Sequence, residues 1–476
     1  MKPSYILNLP LKTEKWQEDI LYKRLEIARK MYNACLGELL KRHKRMKQDK
    51  EYRSWIKQGK SKERSQVLKG LNKKYGLNEY AVHAFVKPMQ HHFKKNIDSF
   101  TAQKIATRSW FTFEKFLYGP AKKVMFKRED GLTSVEGKSN KSGIRFIDNI
   151  FVWNGLKIHI ITKANDVYAH LALEDRVKYC RVVRRKDRYF VQLVLEGVPP
   201  KKVDRSGKDK HRRKEGKVGI DIGTQTIAVV SEEEAKLLEL APSANNIEQE
   251  KRILLRKLDR QRRATNPHKY NKDGTVKRSK EKWHHSINYV KTKKELADMQ
   301  RKIGDIRKQD HNKMANWILS LGDDIKVETM NYKGLQARTK ETKINERTGR
   351  MTKKKRFGKS LANKAPSMLL TILENKLTYD EKALKKIDTY KVKASQYNHF
   401  EGTFTKKTLS ERWNDFEGGT IQRDLYSAFL IMNVKHNLKE IDRDSCIKKW
   451  EGFKASHDRE IERLRTSRRT IASMGV

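Results

Sequence analysis

Three acidic residues of this sequence have neighbours that suit a metal-binding site, and the first is Asp221. In "KVGIDIG", Val218, Ile220 and Ile222 alternate with two glycines and the aspartate. This period of two predicts a strand with one apolar face and a single carboxylate on the other. Because burial penalises the charge of a carboxylate, Asp221 needs a cation nearby.

Glu328 and Asp424 occupy comparable positions in two other segments. In "DIKVETM", Ile325 and Val327 share one face of a predicted strand and Glu328 lies on the other. Asp424 borders a predicted amphipathic helix whose small residues, one turn later, allow close approach to a sheet. The apolar stripe of that helix consists of Ile421, Leu425, Ala428 and Met432.

The signal lies in the set of three acids, since each one alone is better explained as a solvated or salt-bridged carboxylate. Buried together, they would raise one another's pKa unless cations were bound. Two Mg²⁺ or Mn²⁺ ions could there activate a water and stabilise the leaving oxygen of a phosphodiester. The glycines beside Asp221 would let metal and phosphate approach the backbone. The other nearby acids are interpreted as loop or surface charges, namely Asp323, Asp324, Asp442 and Asp444.

The net charge of the chain indicates a polyanionic partner. Its 476 residues include 108 Lys and Arg against 58 Asp and Glu, a formal charge of +50. An excess of this size, spread along the whole chain, is typical of nucleic-acid binding proteins. The length and the 37% hydrophobic content allow two or three domains with real cores, which excludes a disordered tail.

The three cysteines and the apolar runs indicate a cytoplasmic protein without a membrane partner. Cys35, Cys180 and Cys446 are far apart and form no CxxC pair, as expected in a reducing compartment. The sequence opens without a signal-peptide pattern, and no apolar run approaches the roughly 18 residues of a membrane span. Nothing in the residues indicates an oligomeric state.

The patterning divides the chain into two parts joined by a basic linker. Residues 1–200 begin with a short strand, continue with helices over about 16–125, and end in a β unit over about 140–200 with period-two alternation. Residues 201–217 follow two prolines and read as a flexible basic linker. Residues 218–476 alternate strands and helices, which predicts an α/β domain.

Several segments resemble those of a known family. "GIDIGTQTIAVV", "VETMNYKGLQAR" and "QRDLYSAFLIMN" resemble the three RuvC motifs of TnpB, the transposon-encoded proteins related to compact type V CRISPR effectors. "MYNACL" and "KIATRSWFTFEKF" resemble parts of the family's recognition region, so the resemblance covers nearly the whole chain.

This resemblance implies a fold, an activity and a set of partners. The fold would be a multidomain α/β one, with a helical recognition part, an antiparallel β-barrel wedge and a C-terminal RNase H-like (RuvC) domain. Matched motif to motif, Asp221, Glu328 and Asp424 are the catalytic acids and the ligands of two Mg²⁺ or Mn²⁺ ions. The activity would be RNA-guided cleavage of double-stranded DNA beside a short flanking motif, with a noncoding guide RNA from the transposon.

Three alternatives remain open on the sequence. A compact type V CRISPR effector would differ in the origin of its RNA. A DNA-binding regulator or transposition accessory would keep the acids without cutting. A protein transposase would use the same acids to join DNA ends without RNA.

One segment departs from the family pattern. Relatives commonly carry a four-cysteine zinc ribbon between the second and third motifs, but residues 394–420 contain no cysteine. His399 alone cannot hold a structural zinc, which takes four ligands, so we expect no zinc and a degenerate ribbon loop. Aromatic residues are expected to stabilise it, namely Tyr397, Phe400, Trp413 and Phe416. Arg412 and Arg423 are candidates for phosphate contacts, although solvated arginines are equally expected in so basic a chain.

Overall fold

The computed structural model describes residues 3–119, 121, 123–204, 206–337, 343–344, 351–352, 357–406, 408, 411–416, 419–467 and 472–476. Parts of four predicted segments lie outside these residues, namely 120 and 122 of the helical region, 205 of the linker, 338 of the second motif, and 407, 409–410 and 417–418 of the ribbon region. The chain divides into two units, Met1–Lys201 and Lys202–Val476. No helix among the described residues is long and apolar enough to cross a bilayer.

The first unit combines helices with short antiparallel sheets. Its elements are β1 (Ser4–Pro10), α1 (Lys15–Met46), α2 (Lys50–Lys57), α3 (Lys62–Lys74), α4 (Glu79–His92), α5 (Ser99–Leu117), β2 (Ser134–Glu136), β3 (Arg145–Ile147), β4 (Ile150–Trp153), β5 (Leu156–His159), α6 (Val167–Glu174), β6 (Val177–Arg185) and β7 (Arg188–Glu196). The helices therefore end at Leu117 rather than near 125, and α6 interrupts the predicted β unit.

The β unit is open, so the expected barrel was wrong for the described residues. One sheet has the order β1-β7-β6-β2 and the other the order β3-β4-β5. A single bridge between Leu11 and Ile160 connects them. Strand β2 has only three residues and contacts α1 and α5, so helices cover the edge at which a barrel would close.

The second unit is built around a mixed sheet. Its elements are β8 (Lys217–Ile222), β9 (Thr226–Ser231), β10 (Ala235–Glu239), α7 (Asn245–Thr265), α8 (Ile287–Leu321), β11 (Asp324–Glu328), α9 (Tyr332–Gln336), β12 (Lys343–Ile344), β13 (Met351–Thr352), α10 (Gly358–Lys364), α11 (Pro366–Tyr379), β14 (Lys385–Ile387), α12 (Thr389–Val392), β15 (Tyr397–Asn398), β16 (Thr403–Phe404), β17 (Trp413–Phe416), β18 (Gly419–Gln422), α13 (Arg423–Met432) and α14 (Arg443–Thr466).

The central sheet has the order β10-β9-β8-β11-β14 and is covered by helices on both faces. Strands β8 to β10 are antiparallel, whereas β8, β11 and β14 run parallel. Val218, Ile220 and Ile222 pack with α8 and α11, as the alternation predicts. The opposite face packs against α13 and α14. The face of β8 that carries Asp221 is therefore the one that α13 covers.

Two predicted elements differ from the structure because local capping overrides the apolar pattern. The alternation of apolar and polar residues in "KIDTYKVKA" predicts one strand, but the segment forms β14 followed by α12. The side chain of Asp388 accepts hydrogen bonds from the backbone of Tyr390 (3.1 Å) and Lys391 (3.3 Å), which begins a helix there. Ile421 belongs to β18 rather than to the stripe of α13, since that helix begins at Arg423.

Candidate active site

Asp221 and Glu328 lie side by side at one edge of the sheet. In the parallel pair β8 and β11, Ile220 lies opposite Val327, and the two acids are the next residues of their strands. Neighbouring strands are about 4.8 Å apart, and both acids lie on the face opposite the apolar one. The strand register therefore puts these two acids next to each other.

Helix α13 brings Asp424 to the same edge. A Cβ atom at Gly219 would overlap the carbonyl oxygen of Ala428 and lie 2.8 Å from Cβ of Met432, so the helix backbone rests directly on this glycine. Asp424 precedes Ala428 by about 6 Å of helix, and Asp221 follows Gly219 by about 6 to 7 Å of strand. The space beside Gly219 is therefore filled by the backbone of α13. The sequence predicts instead that metal and phosphate approach the backbone there.

Lys326 sets the direction of α13. This lysine is 3% exposed, and its Nζ atom donates to the carbonyl oxygens of Met432 (3.2 Å) and Val434 at the C-terminal end of the helix. An ammonium group at this end complements the helix dipole. Because Lys326 lies two residues before Glu328, α13 runs antiparallel to the strands and begins beside the acids. The sequence signal for this contact is a lysine inside an apolar strand.

Residue Gln422 fixes the N-terminus of α13. Its side chain accepts a hydrogen bond from Leu425 N–H (2.9 Å) and donates to the carbonyl oxygen of Met474 (3.0 Å), while its own N–H donates to Nε2 of His457 (2.9 Å). Nε2 of His457 therefore carries no proton, and burial lowers the pKa of this histidine. Asp424 thus follows a buried cap.

The charges at this edge perturb one another. The pKa of Asp221 is raised well above its usual value, first by burial and then by the negative charges of Asp424 and Glu328, with Arg423 acting in the opposite direction. Burial also raises the pKa of Glu328. Asp424 is paired with Arg423 (Nε to Oδ1, 3.6 Å) and more loosely with Arg412 (Nη1 to Oδ2, 3.9 Å).

The donor set suits a hard divalent cation, since all three side chains offer carboxylate oxygens. In the described conformation no three His, Cys, Asp or Glu side chains among the described residues stand in an arrangement that could hold a metal ion. Asp424 instead interacts with the two predicted phosphate-contact arginines. Arg423 is also held by the carbonyl oxygens of Glu411 (2.9 Å) and Thr408 (3.2 Å).

The ribbon region consists of two hairpins, β15 with β16 and β17 with β18, beside an aromatic cluster. His399 is fully buried, and its Nδ1 atom lies 2.7 Å from the hydroxyl of Tyr426 on α13. The rings around it, with centroid distances, are Phe400 (4.1 Å), Trp450 (5.0 Å), Tyr426 (5.7 Å), Phe429 (5.9 Å) and Phe416 (6.5 Å). Two of the four expected aromatic residues, Phe400 and Phe416, therefore lie in this cluster.

The other two expected aromatic residues have different contacts. Tyr397 packs against Phe404 at 4.9 Å, and Trp413 lies edge-on to His457 at 6.3 Å. The indole N–H of Trp413 donates to the carbonyl oxygen of Gly475 (2.9 Å). Tyr397 therefore braces the β15–β16 hairpin, and Trp413 connects the β17–β18 hairpin to His457 and Gly475.

We predict that His399 makes this unit sensitive to acid. Burial lowers its pKa to about 4, against 6.5 for an ordinary histidine. Between these values the unfolded chain takes up a proton that the folded one does not, so stability falls as the pH falls, by about 2 to 3 kcal/mol in total. In a His399→Phe variant the thermal midpoint should depend less on pH between 6.5 and 4 than in the wild type. The exposed His436→Phe control should keep the wild-type slope, and an unchanged slope in His399→Phe would contradict this assignment.

Comparison with known proteins adds little to this geometry. No model of a protein family matches the chain, and no curated protein matches it. Among solved structures, the cryo-EM structure of a CRISPR-Cas12f ternary complex aligns with a TM-score of 0.26 and 13% sequence identity, over 88% of this chain and 82% of that chain. A TM-score this low does not establish a common fold, so the functional argument depends on the residues themselves.

Proposed function

We propose that this chain is an RNA-guided DNA endonuclease that hydrolyses phosphodiester bonds at Asp221, Glu328 and Asp424. One observation carries the proposal: Glu328 and Asp424, which are 107 and 203 residues beyond Asp221 in the sequence, both raise the pKa of Asp221 by their negative charge. The mixed sheet with helices on both faces supports the RNase H-like, RuvC-type part of the resemblance to TnpB.

The three carboxylates would hold Mg²⁺ or Mn²⁺. Bound there, the ions would lower the pKa of a water and neutralise charge on the phosphodiester. Arg423 and Arg412 neutralise Asp424 in the metal-free chain, and both guanidinium groups suit the phosphates of an incoming strand. Their transfer to phosphate frees Asp424 as a ligand. Lys326 and Gln422 keep α13 in place, so that Asp424 stays beside Asp221.

The tip of the α7–α8 helical hairpin, residues 266–286, supports a nucleic-acid partner. The stem of the hairpin pairs its charges, as in Arg262 with Asp259 and Arg301 with Asp298. At the tip, the acid Glu281 is engaged by Lys269 (3.4 Å) and His268 (3.6 Å). Five tip cations are exposed and make no ion pair with any described residue, namely Lys272, Lys277, Arg278, Lys280 and Lys282. This is the charge pattern that phosphates require.

We predict that reversing three tip cations, Lys277→Glu, Arg278→Glu and Lys280→Glu, weakens nucleic-acid binding and lowers its salt dependence. The slope of log affinity against log salt should fall by about 2 to 3, because each phosphate contact contributes roughly 0.7 to 0.9. The measurement is fluorescence anisotropy with labelled nucleic acid over a salt series.

The matched control reverses three exposed or half-exposed cations that already have acidic partners, Lys435, Lys454 and Arg301. It changes the net charge equally and should lower the slope by less than about 1. Equal slopes for the two variants would show that the tip is an ordinary solvated surface.

The proposed function itself is tested by the RNA that remains bound at high salt. The chain is co-expressed with its native flanking DNA, purified in high salt, and the bound RNA is sequenced. One species that maps to the 3′ end of the gene supports the TnpB-type guide, whereas RNA from a repeat array assigns a CRISPR effector. Absence of a discrete RNA contradicts guided cleavage and favours the regulator, or the transposase if strand transfer occurs without RNA.

A further inference from the structure

Tyr332, shortly after Glu328 in the sequence, has a hydroxyl group without a hydrogen-bond partner among the described residues. It is the first residue of α9 and follows Glu328 by four positions. Its hydroxyl oxygen is buried and has no hydrogen-bond partner among the described residues. Buried polar groups in native proteins are nearly always hydrogen bonded, so an orphaned one indicates a partner that enters from outside.

The backbone around Tyr332 is held in place. Tyr332 N–H donates to the carbonyl oxygen of Met330 (3.0 Å), and the side chain of Asn331 accepts a hydrogen bond from Gly334 N–H (2.9 Å). This cap begins α9 directly after the strand that carries Glu328. The ring of Tyr332 is therefore positioned by the same strand as one of the acids.

The hydroxyl keeps a proton that it can donate. Its pKa is raised well above the usual value, first by burial and then by the negative charge of Asp221. The phenol therefore keeps its proton at neutral pH, and neither Asp221 nor Glu328 accepts a hydrogen bond from it. An acceptor oxygen that arrives with a ligand could take this hydrogen bond.

We propose that the Tyr332 hydroxyl donates a hydrogen bond to a non-bridging phosphate oxygen of the DNA strand that enters at Asp221, which rests on the proposed nuclease function. Tyrosine hydroxyls are among the side-chain groups that contact phosphates in nucleic-acid complexes. The contact aligns the strand with the carboxylates. A tyrosine kept only for the packing of its ring would lose nothing on conversion to phenylalanine.

The test is the Tyr332→Phe variant in single-turnover DNA cleavage with Mg²⁺, with the RNA-loaded protein in excess. We expect cleavage to slow by about tenfold to a hundredfold, the effect of losing one hydrogen bond to a charged acceptor. The thermal midpoint of the metal-free protein should stay the same or rise, because the lost hydroxyl had no partner.

The control is Tyr379→Phe. Helix α11 ends at Tyr379 shortly before β14 begins, so this half-buried tyrosine lies at the sheet edge opposite the acids. The Tyr379→Phe substitution also removes one hydroxyl group, but it should leave the cleavage rate unchanged.

A second readout separates phosphate contact from a structural role. Methylphosphonates, which remove the charge and one acceptor oxygen, are placed one at a time near the cut site, and the affinity for the DNA is measured. In the wild type one position should lower affinity about tenfold, and at that position Tyr332→Phe should show no further loss. Independent, additive losses at every position would overturn the proposal.

The outcomes also distinguish this proposal from the proposed function. If Tyr332→Phe cleaves at the wild-type rate and Asp221→Asn is inactive, the role of Tyr332 is overturned and the nuclease assignment stays intact. Full cleavage by Asp221→Asn would overturn the nuclease assignment at these acids, and the role of Tyr332 with it.

Discussion

Replacement of Asp221 with asparagine is expected to slow DNA cleavage by roughly 10³-fold or more, because the amide cannot supply the anionic oxygen that a divalent cation needs. Asparagine has nearly the same shape, so the strand and the packing of α13 should persist. RNA binding should also persist, since the phosphate contacts proposed for it lie at the α7–α8 tip and not at Asp221. Two quantities are measured: the single-turnover rate of cleavage of matched DNA with Mg²⁺, and the amount of RNA that stays bound at high salt.

The same substitution should make the metal-free protein more stable. Burial and the charges of Asp424 and Glu328 raise the pKa of Asp221, so its ionised form destabilises the fold at neutral pH. Removal of that charge should raise the thermal midpoint by at least about 2 °C, the shift that roughly 1 kcal/mol causes in a large domain. Loss of activity with a gain in stability is typical of a functional residue.

Asp324→Asn is the control for both measurements. Asp324 lies on the neighbouring strand at the opposite edge of the sheet, where it pairs with Lys385 (2.9 Å). Its removal should leave cleavage unchanged and should not stabilise the protein, because a favourable ion pair is lost. Cleavage by Asp221→Asn within tenfold of the wild type would contradict the site.

The Gly219→Ala substitution, which adds one methyl group to β8, is expected to destabilise the protein strongly. The added Cβ atom would overlap the backbone of α13 at Ala428, and neither the strand nor the helix backbone can move without disturbing the core. We expect a cost of about 3 kcal/mol or more, which lowers the thermal midpoint by roughly 6 to 12 °C. Because α13 carries Asp424, the folded fraction should also cleave poorly.

Gly304→Ala is the control, and it is expected to change the stability in the opposite direction. Gly304 lies inside α8, and a Cβ atom there would meet only the end of the Arg307 side chain at 3.9 Å. Alanine is a better helix former than glycine, so this variant should gain about 0.5 to 1 kcal/mol. A Gly219→Ala variant with wild-type stability would mean that α13 does not rest on this glycine, and the placement of Asp424 would then be wrong.

The sequence alone predicts the strand faces on which Asp221 and Glu328 lie, but not how α13 packs on the sheet. The period-two alternation in β8 and β11 placed Asp221 and Glu328 on the correct face, because strand periodicity depends on the backbone alone. The close approach of α13 depends on Gly219, which was assigned to metal and phosphate instead. A glycine shows that space is needed, but the occupant of that space depends on tertiary packing.

Other differences have similar causes. The barrel was expected from resemblance, but the short edge strand β2 contacts helices α1 and α5. Tyr332 had no sequence signal, since a single tyrosine after a strand is common and its orphaned hydroxyl becomes visible only in three dimensions. Lys326, in contrast, could have been found, because a lysine in an apolar strand is expensive to bury without carbonyl partners.

The measurement that tests the central claim most directly is cleavage of duplex DNA by the purified protein with its co-purified RNA. One duplex carries a sequence that matches the RNA guide beside varied flanking motifs, and a second carries a scrambled sequence. The account predicts that Mg²⁺ supports cleavage of the matched duplex alone and that EDTA abolishes it. Absence of cleavage of any matched duplex, or equal cleavage of both, would contradict RNA-guided hydrolysis at Asp221, Glu328 and Asp424.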